Sequence, residues 1–433
     1  MSLRQYLTQL QKNQQMKEID QPVSKVYEIA GVLKHLEPQP ALFHQVKESN
    51  FKVAGNLLCS KEAVANMLGI RTAQIIPTLS HAIEHHTPPE IVSTAPCQEV
   101  IIRNPDLDEL PILRHFTGDG GNYISSGIMI ARHPAFGQNV DFHRCMQFSK
   151  TEMAVRVVKN RDFDRFLNDL KAVDVAICIG NHPTILIAAA TSVATGINEL
   201  EIANALHPLQ VVRGISVDVL VPAESEFVIE GTVYSEKRHA EGPFVDLTET
   251  QDIIRNEPVM EVKTITYRKD AIWHALLPGA LEHKILMGMP REPTIFRKVN
   301  EVVECLDVNV NPGGCSWLHA IVQIRKQSEE DGRKAIFAAF QGHSSCKHVF
   351  VVDEDINIYD PLQVEWALAT RFQADRDLII LEKAPGSSLD PSADPDQNLT
   401  TRVGFDLTRP LKTRGKSFHK VPYPKIDLEK YIR

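Results

Sequence analysis

The sequence has little of what marks secreted, membrane-spanning or disulfide-rich proteins. It holds seven cysteines in 433 residues, and no two of them have the C-x-x-C spacing. This predicts reduced thiols rather than a disulfide framework. The longest apolar run, residues 184–191, is too short to span a bilayer. The N-terminus lacks an apolar core of the signal-peptide type. These absences favour a cytoplasmic protein without a membrane partner.

Positive charge is also in short supply. Lys and Arg number 47 against 55 Asp and Glu, which gives a formal net charge of −8. Because attraction to phosphate backbones needs a basic footprint, we expect no nucleic-acid partner. Hydrophobic residues make up 43% and charged residues 24%, as in soluble globular proteins. The length suffices for two or three domains at about 150 residues each.

Three segments with different patterns follow one another. Residues 1–110 mix helical and strand patterns, residues 111–305 are strand-rich, and residues 306–433 alternate helices and strands. We predict an α/β fold of the mixed α+β type. In the last segment we expect a helix at 316–326 and a strand at 335–340. The tail from residue 401 holds nine Lys and Arg against three Asp and Glu. It is predicted to pack on a neighbouring subunit.

One arginine interrupts an apolar strand pattern at residues 139–148. Alternate residues of a strand share a face, and this face carries Val140, Phe142, Arg144, Met146 and Phe148. A buried guanidinium keeps its charge and needs a carboxylate or a ligand anion. A structural ion pair without chemistry is an equal alternative from this segment alone.

Two carboxylates flank a Gly-Pro turn further along the chain. Glu241 and Asp246 lie five positions apart, and Gly242-Pro243 breaks a regular strand between them. A turn can therefore bring both side chains into one cavity. Beside a buried arginine, one carboxylate stays ionised and the other can carry a proton. An ordinary surface turn is the alternative.

A glycine-rich segment precedes both motifs. Residues 118–127 contain four glycines and two serines, a composition that allows close backbone approach to a ligand. A loop with turns explains the same composition more simply.

In combination, seven segments resemble the UbiD family of reversible decarboxylases, and the resemblance covers most of the chain. They are GDGGNYISSGIMIARHP at 118–134, NVDFHRCM at 139–146, GINELEIANAL at 196–206, LVPAESEFVIEGTV at 220–233, EGPFVD at 241–246, EHKILMGMPREP at 282–293 and KHVFVVDEDINIYDP at 347–361. The family implies a split β-barrel that binds flavin at 111–305. It also implies an N-terminal α/β region at 1–110 and a C-terminal α/β dimerisation domain with an extended tail at 306–433.

The resemblance implies prenylated FMN, which activates a conjugated C=C bond next to a carboxylate for loss of CO2. The family triad of Arg, Glu and a second acid falls on Arg144, Glu241 and Asp246. The family often has Glu in the third place, so Asp246 is one methylene shorter. We expect Asp246 to donate the proton while Glu241 pairs with Arg144.

The family also implies a divalent metal, Mn²⁺ or Mg²⁺, at the flavin phosphate, with K⁺ nearby. Asn139 and Glu199 match two metal ligands, and Asp162 falls where the family often has His. Aspartate is a suitable oxygen ligand for these ions. The positions that match cofactor contacts are Ser125, Asn139, His143, Glu199 and Lys347.

Substrate and partners follow from the same resemblance. His283 and Arg291 resemble the pair with which members acting on furan-dicarboxylic acids hold the second carboxylate. Aromatic acids, heteroaromatic acids and an unsaturated phosphorylated mevalonate derivative are other family substrates. The implied partners are a small carboxylic acid, a flavin prenyltransferase that supplies the cofactor, and further copies in a homodimer or larger assembly.

Two other functions compete with decarboxylation. A metal-dependent hydrolase would use Asn139, Asp162 and Glu199 together with the acid pair. A non-catalytic member of the same fold would carry flavin or metal as a subunit of a larger complex. The intact set of Arg144, Glu241 and Asp246 argues against a carrier, which needs no buried acid–base unit.

Overall fold

The computed structural model describes residues 2–412, 415 and 417–431. The tail predicted to pack on a neighbouring subunit includes residues 413, 414, 416, 432 and 433, which lie outside the described residues. The helices of the described part are α1 Leu3–Lys12, α2 Glu28–Leu36, α3 Lys61–Leu68, α4 Ile75–Glu84, α5 Asp162–Leu170, α6 Pro183–Ala189, α7 Glu199–Leu206, α8 Leu281–Gly288, α9 Glu292–Asn300, α10 Asp331–Gly342, α11 Pro361–Arg371 and α12 Ala374–Asp377. Within this part, no helix is long and apolar enough to cross a membrane.

The strands confirm the predicted mixed α+β class. They are β1 Lys17–Ile19, β2 Ala41–Phe43, β3 Lys52–Gly55, β4 Glu90–Ile91, β5 Val100–Ile102, β6 Asn122–Ile124, β7 Ile128–His133, β8 Gly137–Phe142, β9 Cys145–Gln147, β10 Glu152–Val155, β11 Ala172–Ile179, β12 Gln210–Arg213, β13 Leu220–Pro222, β14 Phe227–Glu241, β15 Phe244–Val245, β16 Gln251–Asp252, β17 Arg255–Tyr267, β18 Ile272–Ala275, β19 Glu304–Asn309, β20 His319–Arg325, β21 His348–Asp353, β22 Leu378–Pro385 and β23 Leu399–Asp406.

The central sheet is curled into a half-barrel. Its strand order is β6-β9-β10-β17-β14-β11-β7-β8, and β5 pairs with β17. The strands β8 and β9 lie near opposite ends of this order, yet only residues 143 and 144 separate them in the chain. The two edges must therefore approach each other, which curls the sheet. Two register shifts between β14 and β17 add to the bend, because bulges increase local twist.

The same two residues correct a prediction. The single strand expected across residues 139–148 is wrong, since it is divided into β8 and β9 on either side of His143 and Arg144. Arg144 is thus buried where the half-barrel is open, rather than within an apolar stripe of one strand. This position explains how its side chain reaches groups from several strands.

Both faces of the central sheet are covered. Along β11, Ala176 and Cys178 pack with α6 and α7, whereas Val175 and Ile177 pack in a second core with α5. This alternation follows from the two-residue period of a strand. The sheet is therefore an interior scaffold that holds residues at its open seam in fixed positions.

Three smaller sheets complete the fold, together with the two-stranded hairpin β15-β16. They have the orders β1-β2-β3-β18, β13-β12-β4 and β19-β20-β21-β23-β22. The first is closed by β18, which returns from the far end of the central segment to pair in parallel with β3. The last carries α10 against it through a core that includes Ile336.

Two predicted elements in the last segment are wrong. Residues 316–326 do not form a helix, because His319–Arg325 is strand β20, paired with β19 and β21. Residues 335–340 do not form a strand but lie inside α10, where Ala335, Ile336 and Ala339 are buried on one face. Short apolar runs fit either period, and the neighbouring sheet decides between them.

Candidate active site

Arg144 is the centre of the candidate site and is bonded to three carboxylates. Its Nε and Nη2 each lie 3.0 Å from Glu241, on Oε1 and Oε2. Nη1 donates to Asp246 Oδ2 at 2.6 Å, and Nη2 donates to Asp252 Oδ2 at 2.8 Å. Burial opposes the charge of Arg144, but these carboxylates outweigh it and raise the pKa of the guanidinium. The structure thus brings the three predicted catalytic residues together.

Glu241 is the most firmly held of the three acids. Its side chain is 0% exposed, and it takes both arms of the Arg144 fork. Tyr123 donates its hydroxyl to Glu241 Oε1 at 3.1 Å. The Phe244 ring lies 4.6 Å from the Arg144 guanidinium carbon and packs against Tyr123. Glu241 is thus paired with Arg144 through both of its carboxylate oxygens.

Asp246 is held more loosely and is more open to solvent. Its side chain is 17% exposed, against 0% for Glu241. Apart from Arg144, its carboxylate accepts one bond, from the Leu247 backbone N–H to Oδ1 at 2.7 Å. Of the two predicted acids, Asp246 is therefore the one with fewer bonds and more exposure.

The Gly-rich segment builds the turn that holds these acids. Gly120 donates its N–H to the Pro243 carbonyl at 2.8 Å. A Cβ at Gly120 would lie 2.1 Å from the Gly242 carbonyl oxygen, so only glycine fits there. Gly242 has φ +105°, a conformation that favours glycine. The close backbone approach expected of this segment is thus made to the 241–246 turn.

His283 lies beside the acid cluster. Burial lowers its pKa, while the charges of Asp246 and Arg144 act on the ring in opposite directions. Nδ1 accepts the Gly279 N–H at 3.0 Å. In the described part of the chain, Nε2 has no hydrogen-bond partner. This leaves one nitrogen of His283 available to a ligand next to Asp246.

A second group of polar residues lies at the start of α7. Glu199 is buried and accepts the Val140 N–H on Oε2 at 2.8 Å. Burial raises its pKa, and the nearby Asp141 and Asp162 raise it further. Asn139 is buried, and its Nδ2 has no hydrogen-bond partner among the residues that the structure describes. The three predicted metal ligands, Asn139, Glu199 and Asp162, therefore lie in one region.

Two residues of this region already have protein partners. Asp162 accepts the Thr195 hydroxyl at 2.6 Å. His143 lies between the Arg156 carbonyl, 2.9 Å from Nδ1, and Asp141, 2.8 Å from Nε2. In the described residues, no cluster of three His, Cys, Asp or Glu side chains is arranged to hold a metal. Any metal here would depend on the Asn139 amide as well.

Ser125 and Lys347 have protein partners. Ser125 donates its hydroxyl to the Leu276 carbonyl at 2.6 Å. Lys347 lies just before β21 and pairs with Asp390 at 2.8 Å. Their predicted contacts with a cofactor would require these bonds to be shared or exchanged.

Arg291 lies in a separate cationic group. It donates to the Ser192 hydroxyl, and its guanidinium lies 5.0 Å from the Trp317 ring. Burial lowers its pKa to about 10, and the charge of Arg161 adds to that effect. No ion pair joins Arg291 or Arg161 to a carboxylate in the described residues. A partly buried cation of this kind is suited to an anionic ligand.

Three residues of the site were missed by sequence reasoning. Tyr123 lies in the glycine-rich segment, and Asp252 lies opposite Phe244 in the β15–β16 hairpin. His115 is buried 3.5 Å from Ser125 and close to His283, and burial lowers its pKa to about 3. None of them stands out in its own segment. The contact of Asp252 with Arg144 depends on strand pairing that one sequence does not reveal.

The fold and this cluster define an acid–base enzyme built around the open seam of a half-barrel. Three family models match consecutive parts of the chain, all described as 3-octaprenyl-4-hydroxybenzoate carboxy-lyase domains. They are the N-terminal domain at residues 7–83, the Rift-related domain at 90–281 and the C-terminal domain at 284–407. The chain belongs to the UbiD family of decarboxylases. The predicted family and reaction class are confirmed.

Curated relatives cover nearly the whole chain. The anhydromevalonate phosphate decarboxylase of Methanosarcina mazei is 42% identical over 95% of this chain and 97% of its own. That of Methanothermobacter thermautotrophicus is 41% identical over 92% and 95%. These matches connect this chain with enzymes named for a phosphorylated acid.

Solved structures share the fold over their full length. The UbiD-class enzyme HmfF from Pelotomaculum thermopropionicum, in complex with FMN, has a TM-score of 0.95 and 36% identity, with 100% of both chains covered. The 3,4-dihydroxybenzoic acid decarboxylase AroY from Klebsiella pneumoniae has a TM-score of 0.91 and 26% identity, with 100% of this chain and 99% of that chain covered. The predicted UbiD-like fold is confirmed.

Proposed function

We propose that this chain removes CO2 from an α,β-unsaturated acid that carries a phosphate, with prenylated FMN as its cofactor. The observation that carries the proposal is the arginine held among three carboxylates in a chain of the UbiD family. The relatives named anhydromevalonate phosphate decarboxylase support the substrate class. A second HmfF structure, in complex with prenylated FMN, supports the cofactor.

The roles of the residues follow from their contacts. When bound, the prenylated flavin supplies the electron sink that activates the conjugated C=C bond. The bond to the carboxyl carbon breaks, and CO2 leaves without that electron pair. Asp246 gives its proton to the carbon that keeps the pair, since it is the acid least tied to Arg144. Glu241 keeps Arg144 in place, and Tyr123 keeps Glu241 in place.

The group around Glu199 fits a divalent cation. The charges of Asp141 and Asp162 act on the buried Glu199, and no cation pairs with Glu199 among the described residues. Carboxylate and amide oxygens are the ligands that Mg²⁺ and Mn²⁺ prefer. We assign Asn139, Glu199 and Asp162 to hold this ion, with K⁺ beside it, at the flavin phosphate. Ser125, His143 and Lys347 are assigned to line the flavin.

The cationic group around Arg291 fits the far end of the substrate. Arg291 and Arg161 repel each other without a carboxylate between them in the described part. A dianionic phosphate relieves this repulsion better than a single carboxylate does, because it carries more charge. His283, whose ring interacts with the charge of Asp246, is assigned to orient the substrate near Asp246. A furan-dicarboxylic acid remains the comparison substrate.

The wider setting of the enzyme is also proposed. A flavin prenyltransferase supplies the cofactor, and the enzyme acts in the cytoplasm. The assembly is a homodimer or a larger homo-oligomer. An evolved form of HmfF is dimeric, which supports an assembly of this kind.

The test uses the full chain produced together with an active flavin prenyltransferase. Mass spectrometry identifies the bound cofactor, and CO2 release is measured with anhydromevalonate phosphate, 2,5-furandicarboxylate and 3,4-dihydroxybenzoate. We expect the phosphorylated acid to have the highest kcat/KM. We expect Asp246→Asn and Arg144→Ala each to lower kcat at least 100-fold with flavin still bound. Asp218→Asn is the control, because Asp218 pairs with the exposed Arg132 and Arg213.

Three results would contradict the proposal. Full turnover in Asp246→Asn would remove the assigned proton donor. Hydrolytic activity in colourless, metal-loaded protein would favour the hydrolase. Equal kcat/KM for the phosphorylated acid in Arg291→Met and in the unsubstituted enzyme would separate Arg291 from the phosphate.

A further inference from the structure

Asp252 lies between two arginines at the edge of the acid cluster. Its Oδ2 accepts Arg144 Nη2 at 2.8 Å and also pairs with Arg255 Nη1. Its Oδ1 accepts the Ile253 N–H at 2.9 Å. The side chain is 11% exposed. Burial favours the neutral acid, but the bonds from Arg255 and Arg144 outweigh it and lower the pKa of Asp252. Asp252 is therefore a fixed negative charge.

The strand pairing explains why Asp252 reaches this point. Phe244 and Asp252 are partners in the β15–β16 hairpin, and Glu241 and Arg255 are partners at the ends of β14 and β17. The turn that carries Glu241 and Asp246 is thus paired with the segment that carries Asp252 and Arg255. Each of these two pairs therefore supplies a carboxylate that contacts Arg144, Asp252 from the first and Glu241 from the second.

The charges of this cluster do not balance. Arg144 and Arg255 face Glu241, Asp246 and Asp252, so one negative charge is left over when all are ionised. One acid can therefore hold a proton without leaving an arginine unpaired. Glu241 is locked by the fork and Asp252 by two arginines. Asp246 is the acid with the fewest bonds from the two arginines.

We propose that Asp252 is a positioning residue that keeps Arg144 paired and in place while Asp246 is protonated and turns toward the substrate. The inference deepens the proposed function and depends on Asp246 being its proton donor. Without Asp252, Arg144 would keep only Glu241 and Asp246 as carboxylate partners. Asp246 would then stay ionised and bound to Arg144, and protonation of the product carbon would slow.

Other charged groups also face Asp246 and set the background of any pH effect. From α8 this is His283, on which Asp246, Glu282 and Lys284 all act, and Lys284 in turn pairs with Glu249 from the loop of Asp246. Arg156 pairs with Glu257 at 2.9 Å beside Arg255, and Tyr123 faces the cluster from β6. Substitutions at Asp252 and Arg255 replace none of these groups, and Arg156 is the one on which both positions act directly. Opposite effects of the two substitutions are therefore diagnostic.

The experiment compares pH profiles of kcat for Asp252→Asn and Arg255→Gln holoenzymes. Asp252→Asn removes a negative charge, so Arg144 holds Asp246 ionised and the basic limb moves about one pH unit lower. Arg255→Gln removes the positive charge that pairs with Asp252, so Asp246 keeps its proton to a higher pH and the basic limb moves higher. Asp218→Asn, which also removes an aspartate paired with two arginines, leaves the profile unchanged.

The outcomes separate this inference from the proposed function. Shifts in one direction for both variants, or no shift in either, overturn the role of Asp252. If the unsubstituted enzyme releases no CO2, the proposed function fails. In that case the pH titration of the Asp246 carboxyl is followed in flavin-free protein by its ¹³C signal. The signal is assigned by its absence from the Asp246→Asn variant. Its titration midpoint must again move in opposite directions in the two variants. If Asp252→Asn does not fold, Arg255→Gln carries the test.

Discussion

At the residue scale, the site depends on a buried carboxylate whose partners are all accounted for. Glu241 has no exposed surface and accepts three bonds, two from Arg144 and one from Tyr123. A buried acceptor that loses its donor keeps the cost of leaving water. The hydroxyl of Tyr123 is therefore expected to matter for stability more than a surface hydroxyl does.

We predict that Tyr123→Phe lowers the free energy of unfolding by about 1–2 kcal/mol. The ring still packs on Phe244, so the change isolates the hydroxyl bond to Glu241. Urea unfolding followed by circular dichroism measures it. Tyr359→Phe is the matched control, since Tyr359 also donates to a carboxylate, Asp307, but is 44% exposed. Equal losses in the two variants would contradict the prediction.

The sequence revealed the residues whose chemistry is unusual in their own segment. Arg144 stood out among apolar neighbours, and Glu241 and Asp246 stood out around a Gly-Pro turn. Tyr123 and Asp252 did not, because a tyrosine beside glycines and an acid in a hairpin are ordinary. Their importance arises from contacts more than a hundred residues away in the chain, which only the folded register creates.

At the element scale, the 118–121 segment and the 241–246 turn form one unit. The Gly120 N–H donates to the Pro243 carbonyl, and the Gly120 Cα lies too close to the Gly242 carbonyl for any side chain to fit between them. The turn can hold Glu241 and Asp246 at fixed places only while this contact is intact.

We predict that Gly120→Ala destabilises the protein by about 1–3 kcal/mol and lowers kcat roughly 100-fold. The new Cβ would lie 2.1 Å from the Gly242 oxygen, so the turn must shift and misplace both acids. Thermal unfolding and CO2 release measure the two effects. Gly118→Ala is the control, because its Cβ meets only the end of the flexible Gln251 side chain. A fully active Gly120→Ala enzyme would show that the turn tolerates movement.

A helix or strand was predictable where its apolar residues kept one spacing, helical or alternating, along the whole element. The helical spacing of Val64, Ala65 and Leu68 predicts a helix in its segment, and the structure has α3 at Lys61–Leu68. The exchange of helix and strand at 316–326 and 335–340 shows the limit. In β20 the buried residues Ala320, Ile321 and Val322 are consecutive, because a central strand is covered on both faces. Consecutive burial erases the period that distinguishes strand from helix.

At the scale of the whole molecule, distant parts of the chain meet through buried polar contacts. Lys61 of α3 pairs with Glu292 of α9 at 2.7 Å, and Glu292 also accepts the Val310 N–H at 2.9 Å. The Glu292 side chain is 1% exposed. This pair joins the N-terminal helices to the C-terminal sheet, and nothing in either segment alone predicts it.

We predict that this contact makes the stability of the whole chain depend on pH. Burial raises the pKa of Glu292 to about 7, although Lys61 opposes the shift. Between about pH 4.5 and 7 the folded state therefore holds a proton that the unfolded state has lost. Stability from this group is greatest below pH 4.5 and falls as pH rises to 7. The loss is on the order of 3 kcal/mol.

Glu292→Gln has no ionisable group at this position. We therefore expect its free energy of unfolding, relative to that of the unsubstituted protein, to rise across this pH range. Urea unfolding at pH 5 and pH 8 measures that difference, with Glu301→Gln as the exposed control. If Glu292→Gln and the unsubstituted protein lose stability in parallel, Glu292 is not the group that couples the two ends of the molecule to pH.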